Sequence, residues 1–361
     1  MKKRRVWLGI VVSLVFLGIF FYRVNLAGIG AALSNANYIY VVPAVLLYFL
    51  GVFLRTVRWR FIMDPIRRLP IRRLFSLQLI GYMANDILPA RIGEFVRAYI
   101  MGEKEGVSKT SILATIVMER LFDGLALLFL LLVVAAVFGL VPSLQTFLVV
   151  MSVIFAVLVA IFGFVGASRR RSTAIVSLAL RLVPQKLRPT IAGLVDSFIN
   201  GLVAMQSPMR LLLVFIFSTA AWIVESTMAY ILVFSFPFRQ PFHALVAMTS
   251  VANLGTAIPS APGGIGTFDA LVKESLIIFG TNVDAAAAFA ILFHVALWLP
   301  VTAVGLVLLW FENFSLAQIS AQGIGTGGQG PGVGDQGSGT VGEVSHGGSL
   351  ASDPQPPAPD P

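Results

Sequence analysis

The chain has 361 residues, 57% of them hydrophobic and only 12% charged, with a formal charge of +9 and no cysteine. That is about half the charge of an average soluble domain, which is about 25% charged, and no water-soluble globule could hide so much apolar surface. The composition therefore predicts an all-α integral membrane protein, and the missing cysteines exclude disulfides, thiol catalysis, cysteine-ligated zinc and iron–sulfur clusters. The three histidines, His243, His294 and His346, are too scattered to suggest a metal centre, and no other cofactor is expected. The positive charge is read as marking cytoplasmic loops, not nucleic-acid binding.

In chain order, Lys2-Lys3-Arg4-Arg5 precedes an apolar run over 6–22 without a convincing cleavage site after it, so this run is read as an uncleaved first span. A second span, 38–63, runs into the basic cluster Arg55, Arg58, Arg60, Arg67, Arg68, Arg72 and Arg73. Further runs over 111–139, 143–166, 209–236 and 285–311 are each long enough for a hydrocarbon core of about 30 Å, which takes roughly 20 helical residues. Two more apolar stretches, 74–101 and 244–280, are broken in the middle by Pro and Gly. Pro89-x-x-Ile92-Gly93-x-Phe95 in the first matches Pro262-x-x-Ile265-Gly266-x-Phe268 in the second, which suggests an internal repeat. If both broken stretches are re-entrant hairpins, six helices span the membrane and both termini are cytoplasmic. Nearly all of the 26 Lys and Arg residues then face the cytoplasm, including Arg169-Arg170-Arg171. In that topology the repeat is inverted, as in machines that open alternately to two sides. Residues 172–207 suit either short surface helices or a soluble loop. The chain therefore divides into a polytopic membrane domain, 1–317, and a tail, 318–361. The tail holds 12 Gly and 6 Pro and no Lys or Arg, and is expected to be a disordered cytoplasmic segment.

Ionisable groups within hydrocarbon cost a few kcal/mol each and demand a partner or a purpose. The first broken stretch holds Asp86, Arg91, Glu94 and Arg97. A helix starting near Pro89 would place Arg91/Glu94 and Glu94/Arg97 as i,i+3 neighbours, either a self-neutralising ladder or arginines that hold an anionic headgroup. Glu119, Arg120 and Asp123 share a face of the third span, so an interhelical bridge, to Arg55 or Arg58, competes with a headgroup or proton site. The turn Gly263, Gly264 and Gly266 either lets backbone approach a ligand or is a tight hairpin turn with no ligand, and Asp269/Lys273 would pair at i,i+4. Glu225, a lone acid near the middle of its span, is read first as a hydrogen-bonded structural group, and His294 as a core or interhelical histidine. No catalytic constellation or ATPase motif is visible, so an enzyme is not expected.

Taken in order, Arg55-x-x-Arg58-Trp59, Asn85-x-x-x-Pro89-x-Arg91-x-Gly93-Glu94-x-x-Arg97, Glu119-Arg120-x-x-Asp123 and Pro262-Gly263-Gly264-x-Gly266 resemble the flippase-like membrane domain of bacterial lysylphosphatidylglycerol synthases. The resemblance covers about 1–315. Two departures stand out: Asp269 takes a place where the family usually has Glu, and no aminoacyl-transferase domain follows, so synthetic activity is not carried over. What the resemblance implies is translocation of a membrane phospholipid or polyprenyl lipid between leaflets of the cell membrane. Arg91, Arg97 and Arg120 would contact the lipid phosphate, with Glu94, Glu119 and Asp123 balancing them. The related synthases dimerise, which leaves a homodimer open for this chain. The alternatives are a membrane enzyme or accessory factor in polyprenyl-phosphate or glycolipid assembly, and an ion or small-anion transporter.

Overall fold

A computed structural model of the chain describes residues 14–21, 24–88, 92–167, 192, 207–256 and 261–312. The helices are α1 (Leu14–Phe21), α2 (Leu26–Ser34), α3 (Val41–Met63), α4 (Ile71–Ile87), α5 (Gly93–Glu105) and α6 (Lys109–Phe138). They continue with α7 (Pro142–Ala167), α8 (Pro208–Val233), α9 (Phe242–Gly255), α10 (Thr267–Ile278) and α11 (Val283–Phe311). Among the described residues there is no strand, and the all-α membrane class holds. Among them too, five helices are long and apolar enough to cross a bilayer: α3 with its leading turn, α6, α7, α8 and α11. These are the runs expected from the sequence. The break between α1 and α2 bends the chain by 78°, and that pair makes a sixth candidate span. The expected first span, 6–22, is described only over α1. The segment 172–207, apart from 192 and 207, and the tail 318–361 lie outside the described residues.

Local chemistry sets the ends of these helices. Gly106 (φ 64°) closes α5, since a left-handed residue is tolerated best by glycine. Ser108 then accepts a hydrogen bond from the Ser111 N–H and starts α6. The outward side of α7 leaves Val149, Val153, Val157 and Ile161 exposed, a stripe at i,i+4 spacing that suits hydrocarbon and not water.

The two broken stretches resolve into helix pairs. In the first, α5 packs back along α4, so closely that a Cβ on Gly93 would collide with the Gly81 carbonyl oxygen. In the second, α10 packs back along α9, with Leu271 against Gly255. The helix after the first break starts at Gly93, beyond Pro89; Pro89, Ala90 and Arg91 lie outside the described residues.

The repeat suggested by one short motif extends through four elements. Helices starting at Val41, Ile71, Gly93 and Lys109 recur in order as helices starting at Pro208, Phe242, Thr267 and Val283. Their packing recurs as well. The leading helices α3 and α8 pack on each other, and α4 packs on α11 as α9 packs on α6. This pairwise exchange brings the breaks of both pairs toward one interior, where the Gly263 turn lies against α4.

Candidate functional site

The interior carries a network of buried charges built from α3 outward. Arg55 and Arg58, one turn apart, are 3% and 1% exposed. The Arg58 guanidinium donates to Glu119 Oε1 (3.1 Å), to Asp123 and to Ser218 Oγ (3.0 Å). Arg97, reaching in from α5, donates to the other oxygen of Glu119 at 2.7 Å and lies 3.8 Å over the Trp59 ring. Arg55 donates to Glu225 Oε2 (2.6 Å) and lies 4.3 Å over the Trp222 ring. Glu225 Oε1 accepts from Asn253 (3.2 Å), and the Trp222 indole N–H donates to Asp123 (3.2 Å). A buried charge left without a partner costs several kcal/mol. Here Arg55, Arg58, Arg97 and Arg120 stand against Glu94, Glu119, Asp123 and Glu225, so the network is neutral in formal charge.

The expected bridge from Glu119 and Asp123 to α3 is present, through Arg58. Of the self-neutralising ladder weighed as one alternative, the Glu94/Arg97 rung is not formed. Glu94 instead accepts from Arg120 (2.7 Å) and Asn85 (3.3 Å), while Arg97 turns to Glu119, because α5 packs beside α6 and offers each charge a stronger partner across the interface. Arg91 lies outside the described residues. Arg120 and Asp123 approach only to 3.9 Å. Unlike the other arginines of the network, Arg120 is half-exposed.

The second turn also departs from expectation. Gly263, Gly264 and Gly266 take φ of 69°, 78° and 85°, which explains glycine at all three. Asp269 does not pair with Lys273. Its Oδ2 accepts from the Gly266 N–H (2.8 Å), capping α10, and its Oδ1 lies 2.6 Å from His294 Nδ1. Lys273 donates to the carbonyls of Ile19 and Phe20, both at 2.9 Å, since the last carbonyls of a helix have no partner of their own. It also lies 3.0 Å from Glu274. His294 is interhelical, as expected, and it also faces a cavity.

Two chambers adjoin here. The smaller, about 170 Å³, has a mixed lining, with Tyr48, Arg55, Tyr82, Asp86, Glu225 and His294 beside Phe268, Leu297 and Trp298. The larger, about 770 Å³, shares Asn85, Arg120, Asp123 and Trp222 with it. Glu94 also lines the larger one, and its wall on α6 and α7 is apolar, from Leu121, Leu127, Met151, Phe155 and Leu158. Paired charges thus stand beside a hydrocarbon-like surface. Sequence reasoning missed the Arg55–Glu225 pair, although each is an ion without an opposite charge on its own face of its helix. It missed as well the lining role of Asn85, Asn253, Tyr48 and Tyr82, which no spacing rule exposes. Among the described residues no group of three or more side chains could hold a metal ion.

Residues 6–305 match the family described as Lysylphosphatidylglycerol synthase TM region. Similar proteins include a UPF0104 membrane protein of Methanothermobacter thermautotrophicus, 25% identical over 86% of this chain and 96% of its own length. Another, of Methanocaldococcus jannaschii, is 23% identical over 82% of this chain and 92% of its own. Glycosyltransferase AglD of Haloferax volcanii is 23% identical over 82% of this chain but only 52% of its own length. With the family matched over most of its length, and with its spans and charged motifs assembled in one membrane fold, this chain belongs to the lysylphosphatidylglycerol synthase transmembrane-region family.

Proposed function

We propose that the protein is a lipid translocase, not an enzyme, moving a lipid with a polar or anionic headgroup between the leaflets of the cell membrane. The observation that carries this reading is the pair of adjoining chambers, which sets charged side chains beside an apolar wall, as a lipid sets its headgroup beside its chains. A headgroup would meet the charged side chains, and an acyl or prenyl chain would lie along the α6–α7 wall. Arg120 stands where the chambers meet, half-exposed and held by Glu94. A phosphate would compete with Glu94 for that guanidinium, and a charge-assisted pair of this kind can be exchanged without leaving a bare charge. The fully buried Arg58, Arg97 and Glu119 form the scaffold behind it. Both broken helix pairs are taken as re-entrant and both termini as cytoplasmic, which keeps the basic loops on one side.

Mass spectrometry of lipids retained by the purified protein tests this, with wild type beside Arg120→Ala/Glu94→Ala. Selective enrichment of one anionic or polyprenyl lipid that the variant loses supports the reading. Identical retention of bulk lipid by both proteins overturns it. A second reading, a role in polyprenyl-linked glycolipid assembly, is favoured by the likeness to a glycosyltransferase. Chemical turnover of a lipid donor by the purified chain would select it.

A further inference from the structure

His294 has two ring nitrogens and two fixed partners. Nε2 lies 3.1 Å from the carbonyl oxygen of Gly263, and Nδ1 lies 2.6 Å from Asp269 Oδ1. A carbonyl can only accept, so Nε2 must carry a hydrogen and donate it. A neutral ring with its hydrogen on Nε2 leaves a lone pair on Nδ1, facing a carboxylate oxygen at hydrogen-bond distance. That contact is attractive only if one further proton lies between them, either on the ring or on the carboxyl group. As arranged, the pair holds an extra proton.

We propose that His294 and Asp269 form a proton-binding site that clamps the glycine turn of the second helix pair, and that loss of the proton releases the turn. Once the proton leaves into the smaller chamber, which His294 lines, the ring can satisfy only one partner. Keeping the hydrogen on Nε2 sets two lone pairs against each other at Asp269. Moving it to Nδ1 restores that bond and leaves the Nε2 lone pair facing the Gly263 oxygen. The bond to a carboxylate is the stronger of the two, so the contact with Gly263 is the one lost. The clamp is therefore closed at low pH and open at high pH.

The surroundings concentrate this effect on the turn. The Phe268 ring stands edge-on to the imidazole with centroids 5.2 Å apart, and Asp269 is already fixed by capping Gly266. The turn packs on α4, and a Cβ on Gly263 would meet Trp298 at 3.0 Å and the Asp86 carbonyl oxygen at 3.6 Å, so release of the turn loosens the contact between the two helix pairs. Of the charged and titratable groups on the elements packed around His294, those that line its cavity are Asp86 and Tyr82 of α4, Tyr48 and Arg55 of α3 and Glu225 of α8, and α10 brings Asp269, Lys273 and Glu274. Arg120 and Asp123 of α6 line the same chamber, and Asp284 lies on the same helix as His294. Of these, Arg55 and Glu225 neutralise each other, Asp86 accepts from Thr302, and Lys273 is turned to the end of α1. α2, which also packs on α11, has no ionisable side chain.

The test needs no lipid substrate, so it can fail or succeed independently of the translocase reading. The chain has no cysteine of its own, and Thr267, where the turn enters α10, is fully buried. A Thr267→Cys reporter in nanodiscs of defined phospholipid would be alkylated across a pH series, each rate corrected for the thiolate fraction of that cysteine. With His294 and Asp269 intact, the corrected rate should rise at least about fivefold through one titration. With Asp269→Asn it should stay low at every pH, because the amide N–H donates to Nδ1 and locks the Nε2–H form. With His294→Ala it should stay high. In parallel, ¹⁵N-histidine spectra should show His294 titrating at a proton concentration at least about tenfold higher in Asp269→Asn than with Asp269 present, since the carboxylate is what favours the bound proton. An alkylation rate that depends on pH in the Asp269→Asn variant just as it does with Asp269 intact, or a histidine titration unchanged between the two, would overturn the proposal.

Discussion

Glu119 sits between two guanidinium groups, and Arg58 between two carboxylates, so each of these side chains holds more than one partner in place. Arg58→Ala would leave Asp123 with its main partner gone and Glu119 with one cation instead of two. The expected cost is about 3–5 kcal/mol, the usual result of breaking a buried pair from one side. It should be seen as a large drop in the unfolding temperature of the detergent-solubilised protein. Arg120→Ala should differ in kind. Arg120 is half-exposed, although Glu94 is only one-fifth exposed, so the variant should lose less stability than Arg58→Ala while lipid retention is lost. The types of these residues were legible in the sequence, because any charge in a hydrocarbon-length run needs an account. Their pairing was less so. The i,i+3 and i,i+4 rules find neighbours on one helix, and they fail for Glu94, Arg97 and Asp269, whose partners come from other helices. Buried ions take the best geometry available in three dimensions.

The helix pair α4–α5 depends on a close approach that only glycine allows. A Cβ on Gly93 would run into the Gly81 carbonyl and meet Asn85 Oδ1 at 2.6 Å. Backbone cannot swing aside as a side-chain tip can, and the Gly93 N–H to Asn85 hydrogen bond (2.8 Å) would be strained at the same time. Gly93→Ala should therefore destabilise the protein by about 1–3 kcal/mol, the usual range for overpacking. Gly106 has a positive φ but open space around it, so Gly106→Ala should cost only about 1 kcal/mol, the strain of a left-handed residue. Unfolding of the two variants side by side checks the order. The element boundaries were readable from apolar run length and from Pro and Gly breaks, which is why α3, α6, α7, α8 and α11 fall where the runs predicted. The closeness of α5 to α4 was not readable, because a glycine in sequence does not say what approaches it.

For the whole molecule, the recurrence of four helices and of their packing partners extends a motif match of a few residues into a repeat of most of the membrane domain. With both broken pairs re-entrant, the loop after α5 is cytoplasmic and the loop after α8 is external. Single cysteines at Lys104 and Arg239, labelled in intact cells by an impermeant reagent, should then react only at Arg239→Cys. Reaction only at Lys104→Cys would mean that both pairs cross the membrane completely. If the repeat is inverted, as we propose, one cavity can face each side in turn, which would connect the fold to movement of a headgroup.

Whether the charged cavity carries lipid headgroups is read without intermediaries by transfer of a labelled anionic phospholipid between leaflets of sealed liposomes containing the protein. Wild type should move the label well above protein-free liposomes. Arg120→Ala, folded and equally reconstituted, should slow it at least about tenfold, equivalent to about 1.4 kcal/mol in the barrier. Transfer by wild type no faster than in protein-free liposomes, or at the same rate in the variant, would mean that the cavity does not carry headgroups.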